Sequence, residues 1–174
     1  MAGIPVVVGG VILAPRLIEL VAGEDFEGAV EPLQILLGAG TLAWVNGVFG
    51  YALIAKERQA SALWLNVLGL SFNVGLNLAL VPEYGIVAAA IVTVASEVLI
   101  LGGSYLLMRR NFGFFPSPGI LLPVLAAAAV MGAALWPLRD GPFLVLAALG
   151  AAIYLALLMA VSPTARSVVT ALRR

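Results

Sequence analysis

An all-α fold, a polytopic membrane helical bundle of about six transmembrane helices, is what this sequence predicts, and three observations predict it. Apolar residues make up 63% of the 174 residues, charged residues only 10%, and the mean hydropathy is +1.12. That exceeds what a soluble domain of this size needs to fill one core. The apolar residues fall in continuous runs of roughly 20, the length that crosses about 30 Å of hydrocarbon. These runs lack period-two alternation, which excludes a transmembrane β-barrel, and no stretch remains for a water-soluble domain.

The predicted helices span approximately 3–21, 36–55, 63–81, 85–108, 119–138 and 142–161. The first run lacks a basic flank and is too long and Gly-rich for a secretory signal, so it is read as a membrane helix from Met1 onward. The joints are GEDFEGAVEP, KERQAS, PEYG, RRNFGFFPSP and RDG, each mixing charge with Gly, Pro or Ser. PEYG and RDG are so short that the third and fourth helices, and the fifth and sixth, must be antiparallel neighbours. The second and third follow the same logic more loosely. This divides the chain into a four-helix part at 1–110, a peripheral helix pair at 111–161 and a basic tail at 162–174.

Alternate joints carry opposite charge. Lys56, Arg58, Arg109, Arg110, Arg166, Arg173 and Arg174 fall on one side, whereas Glu24, Asp25, Glu27, Glu31, Glu83 and Asp140 fall on the other, with Arg139 as its basic loop residue. The positive-inside rule therefore predicts a multi-pass protein of the cell membrane with both termini cytoplasmic. Phe112, Phe114 and Phe115 beside Arg109 and Arg110 suit the headgroup belt on that side. Net charge is zero, so no basic field argues for nucleic acid as a partner. The chain has no cysteine and no histidine, which excludes disulfides, thiol nucleophiles and histidine acid–base chemistry. The acidic GEDFEGAVEP loop lacks the alternating ligand spacing of a calcium loop and reads as a solvated turn. Neither a metal nor a cofactor is expected.

The third helix carries the most informative polar pattern. Asn66, Asn73 and Asn77 stand at i, i+7 and i+11, within an arc of roughly 40° on one face. An amide facing hydrocarbon is costly unless protein accepts its hydrogen bonds, so this face must meet protein or a polar cavity. Glu97 lies near the middle of the fourth helix, with Thr93 at i−4 and Ser104 at i+7. A carboxyl group at bilayer depth costs a few kcal/mol on insertion scales and is a functional-site candidate by default. Since PEYG sets these helices side by side, the two stripes can face one space. Glu97 then has two readings: a protonated acid bonded to an asparagine as helix glue, or a titrating group in ion-coupled transport.

Elsewhere the bland readings lead. Arg16 and Glu19 are spaced for an i,i+3 ion pair, most simply an interfacial pair that positions the first helix. The sharper reading is a phosphate contact by Arg16. The second helix holds Thr41, Trp44, Asn46 and Tyr51 among Gly38, Gly40, Gly47 and Gly50, and reads as a close-packing surface. The fifth and sixth helices have few polar side chains and read as lipid-facing and peripheral.

Four motifs in order carry a resemblance: Ala14–Pro15 followed by G-E-x-F, the A-L-I-A-x-x-R-Q turn, N-x-x-G-x-x-x-N-x-x-x-N, and P-x-Y-G-I-x-A-A-A-I-x-T-x-x-S-E. Over residues 12–110 the chain resembles the C-terminal half of polysaccharide flippases of the multidrug/oligosaccharidyl-lipid/polysaccharide exporter superfamily. The last two helices match in hydropathy alone. The resemblance implies non-enzymatic transport of a polyprenyl-phosphate-linked oligosaccharide from the cytoplasmic to the outer leaflet, for polysaccharide biosynthesis. It implies two helical lobes rocking about a central polar cavity, lined here by Asn66, Asn73, Asn77, Thr93 and Glu97, with Arg16 as the phosphate-contact candidate. The family has roughly twice as many helices, so the expected partners are membrane lipid, the lipid-linked oligosaccharide and a missing N-terminal lobe. Two alternatives remain open: a cation-coupled drug or small-molecule exporter of the same superfamily, and a non-transporting membrane scaffold subunit.

Overall fold

The computed structural model describes residues 3–112 and 121–161, and within them the chain is almost wholly helical with no strand. The helices are α1 (Gly3–Ala22), α2 (Val30–Ala55), α3 (Gln59–Phe112), α4 (Leu121–Leu135) and α5 (Phe143–Val161), with short 3-10 turns at Glu24–Ala29 and Trp136–Leu138. Four described helices are long and apolar enough to cross a bilayer by length and composition: α1, α3, α5, and α2 together with the turn before it. They suggest a multi-pass membrane protein. The basic tail, Phe114 and Phe115 lie outside the described residues.

Helix α3 has 54 residues, which in a straight rod would reach roughly 80 Å. It does not run straight. At Gly85 the backbone takes φ 66° and ψ −155°, a combination open essentially to glycine alone. The chain reverses there into two arms, 59–84 and 86–112, each of roughly 40 Å if fully helical. Contacts at matched distances from Gly85 show the arms lying antiparallel: Asn73 bonds Ser96 at 3.0 Å, Gly69 lies against Ile100, and Gly103 against Leu65. A Cβ on Gly69 would come within 2.5 Å of Ile100 Cδ1, so the missing side chain is what admits that close approach.

The two arms are the third and fourth helices expected from the sequence. The joint is tighter than expected, because Pro82, Glu83 and Tyr84 remain helical and a single residue makes the turn. Pro82 has no N–H to donate, which loosens the last turn before the reversal.

Helix α2 ends in a Schellman arrangement: Glu57 N–H donates to Ile54 O at 2.9 Å and Arg58 N–H to Leu53 O at 2.9 Å. Glu57 holds φ 59°, the left-handed position usually given to glycine. With three residues between α2 and α3, the second helix packs on the α3 hairpin.

Residues 28–116 form one compact unit, built on α2 and α3, and residues 1–27 with 117–174 form another, built on α1, α4 and α5. In the latter, Val124, Ala127, Ala128, Met131 and Leu135 recur at helical spacing along α4 and bury against Leu13 of α1 and Leu146, Tyr154 and Leu158 of α5. The contacts thus group the first helix with the pair read as peripheral. Small residues again allow this, since a Cβ on Gly132 would lie 2.8 Å from Val8 Cγ1 and one on Gly150 2.9 Å from Leu135 Cδ1.

Candidate functional site: a polar cleft between α2 and α3

Within the α2–α3 unit, a cleft of about 310 Å³ opens between α2 and both arms of α3. Its polar walls are Asn46 from α2, Asn66 from the first arm, and Glu97 and Ser104 from the second. Gly47 and Gly50 supply a wall without side chains. That volume sits at the low end of the roughly 300–1,000 Å³ typical of small-molecule sites.

The centre of the site is a clasp between helices. Asn46 Nδ2 donates to Glu97 Oε2 at 2.7 Å and to the Glu97 backbone oxygen at 3.0 Å. The second bond reaches the ladder of a helix whose carbonyls are already engaged, so one amide ties α2 to both the side chain and the main chain of α3. Glu97 is bonded to an asparagine, as one sequence reading held, but the asparagine comes from α2 and not from the stripe on α3.

The asparagine stripe divides. Asn77 Nδ2 donates to Asn73 O at 2.9 Å and Asn73 Oδ1 at 3.0 Å, Asn73 Nδ2 donates to Ser96 Oγ at 3.0 Å, and Ser96 Oγ donates to Val92 O at 2.7 Å. This chain of bonds stitches the two arms together, and Asn73 and Asn77 are not among the residues lining the cleft. Asn66 does line it, and its Nδ2 donates back to Ala62 O at 2.8 Å. Thr93 donates to Ala89 O at 2.9 Å and lies outside the lining as well. Asn73→Ala is therefore expected to lower stability by about 1 kcal/mol, read as an earlier detergent melt.

Arg16 belongs to the other unit. Its Nη1 pairs with Glu19 Oε2 at 2.6 Å, and its Nη2 donates to the Asp140 backbone oxygen at 3.0 Å with Asp140 Oδ1 at 3.8 Å. The ion pair expected from spacing is present, and it extends to the turn between α4 and α5. Beside that turn, the Arg139 guanidinium stacks 4.5 Å from the Trp136 ring centroid. Among the described residues no group of three or more acidic side chains is placed to hold a metal ion.

Sequence reasoning passed over Asn46 and Ser96. Asn46 was legible by the rule applied to the third helix, an amide in an apolar run that must find a partner; its glycine-rich surroundings drew the reading toward packing. Ser96 looks like any helical serine until the opposite arm is in place.

Comparison with known proteins gives no neighbour: no family model, no curated protein and no solved structure matches the chain significantly. The coarse class is thus defined: the described residues are almost wholly helical, with several long apolar helices and a polar cleft inside a helix hairpin unit.

Proposed function

We propose that this chain is the C-terminal lobe of a membrane flippase that moves polyprenyl-phosphate-linked oligosaccharide across the cell membrane. In this reading α1, α2, the two arms of α3, α4 and α5 make six crossings, and the charge of the joints leaves both termini cytoplasmic. A separate or preceding N-terminal lobe completes the cavity. The observation that carries the reading is the polar cleft of Asn46, Asn66, Glu97 and Ser104 set among apolar helices. A half-buried carboxyl group among apolar helices is expensive at membrane depth, and it persists where it serves a transported group or a coupling ion. The motif order over residues 12–110 supplies the cargo class.

The test is leaflet translocation in vesicles containing this chain with its N-terminal lobe. A fluorescent lipid-linked oligosaccharide becomes accessible to external lectin as it is flipped. Glu97→Leu is expected to slow its appearance at least about tenfold, the equivalent of roughly 1.4 kcal/mol in the barrier, without loss of the folded protein. Efflux of lipophilic cations with no oligosaccharide movement would replace this reading with the exporter one. Full translocation after Glu97→Leu would remove the cleft from the mechanism and favour a scaffold role for this unit.

A further inference from the structure

The α2–α3 cleft holds hydrogen-bonding capacity that the protein itself leaves unused. Ser104 is 3% exposed and lines the cleft, yet its hydroxyl has no partner among the described residues. A helical serine ordinarily bonds the carbonyl four residues back, as Ser96 does with Val92. Asn46 Oδ1 is buried and also without a partner. Among the described residues, only Oε2 of the Glu97 carboxyl group is engaged by a side chain. Buried polar atoms in native proteins are overwhelmingly paired, and here one that is not, Asn46 Oδ1, belongs to the wall of a space large enough for a small ligand, which Ser104 and Glu97 also line.

The chemistry of that space is one-sided. It offers a carboxyl oxygen, the Asn46 and Asn66 amide oxygens and one hydroxyl, and no Lys or Arg lines it. A phosphate group would meet Glu97 with no cation to balance it. A group that donates hydrogen bonds fits; to reach Asn46 Oδ1 it must turn that amide about its broad terminal torsion, releasing the Nδ2 bonds to Glu97.

We propose that this cleft is a subsite for the hydroxyl groups of a sugar ring. Glu97 Oε1 and Asn46 Oδ1 accept from ring hydroxyls, and Ser104 donates to or accepts from a third. The carrier phosphate is held elsewhere. The inference deepens the flippase reading and rests on it for the source of the hydroxyls; an ammonium group is the other source of donors.

The experiment uses the full chain in lipid nanodiscs and three probes: methyl α-glucopyranoside, methylammonium and inorganic pyrophosphate. Binding is read by saturation-transfer NMR and by fluorescence of Trp44 and Trp64, neighbours in sequence of the cleft-lining Ala43 and Leu65. The glucoside is expected to bind, and Ser104→Ala and Glu97→Ala each to weaken it about tenfold, as loss of a hydrogen bond to a neutral or charged partner does. Ser104→Thr, which keeps the hydroxyl, is expected to retain binding, and Ser71→Ala, on an exposed position of the first arm, to leave it unchanged.

Binding of methylammonium or pyrophosphate in place of the glucoside overturns the subsite, as does glucoside binding indifferent to Ser104→Ala and Glu97→Ala in variants that melt like the parent. Absence of glucoside binding overturns it as well, since the unpaired groups then serve water only. Glucoside binding without any lipid-linked oligosaccharide translocation overturns the flippase reading and leaves the subsite standing. Translocation without glucoside binding does the reverse.

Discussion

Gly85→Val is expected to destabilise the protein by about 1–3 kcal/mol, the largest effect of any single exposed-backbone change in the α2–α3 unit. The residue holds φ 66° and ψ −155°, where a Cβ clashes with its own backbone and a β-branched side chain clashes further. No neighbour stands within 4 Å of the position a Cβ would take. The penalty is therefore conformational and not a matter of crowding, so Gly85→Ala is expected to be costly too, in spite of its small size. Thermal melting in detergent measures the loss. A second readout follows from the absence of cysteine in the chain: with Leu65→Cys and Gly103→Cys introduced together, the parent hairpin cross-links readily and the Gly85→Val background does so slowly. Melting and cross-linking both unchanged would mean that the reversal does not depend on glycine.

Asn46→Ala is expected to have the next largest effect, a loss of about 1–2 kcal/mol, because one amide makes two bonds and both partners stay behind. The carboxyl group would then sit in an apolar helix pair without its donor, which costs more than the net worth of the bond. A double-mutant cycle with Glu97→Ala separates the contributions. The coupling energy is expected to fall near 0.6–1.7 kcal/mol, the range found for polar pairs between membrane helices, and the residual effect of Asn46→Ala belongs to its bond with the Glu97 main chain. Asn66→Ala serves as the contrast. Among the described residues Asn66 bonds only within its own helix, so its removal is expected to leave the melt within about 0.5 kcal/mol of the parent. Strict additivity of Asn46→Ala and Glu97→Ala would sink the clasp.

These two residues also show where one-dimensional reasoning stops. The helix-reversing joint at PEYG was legible because Pro and Gly punctuate apolar runs, and the antiparallel pairing followed from its shortness. That Gly85 alone makes the turn was not legible, since Pro82 is an equally plausible breaker until backbone angles are known. The costly carboxyl group at Glu97 was found by its position in an apolar run. Its partner stands 51 residues earlier on a helix whose rotation no periodicity fixes. The asparagine stripe was read as one face, and it is one face; Asn73 and Asn77 nonetheless stitch the hairpin while Asn66 alone reaches the cleft, because the facing arm covers one end of the stripe and α2 the other.

The sequence by itself determined the all-helical class, the apolar character of the rods, the approximate joints and the ion pair between Arg16 and Glu19. Each is a property of residues near one another along the chain, set by hydropathy, helical period and turn chemistry. The tertiary structure alone decided that α1 packs with α4 and α5, that Asn46 clasps Glu97, and that Asn46 Oδ1 is left buried without a partner among the described residues. Which helix faces meet depends on where small residues let backbones approach and on how each rod is turned about its axis. Those quantities are settled by packing among distant segments, and a chain this uniformly apolar offers its helices many faces of nearly equal hydropathy from which to choose.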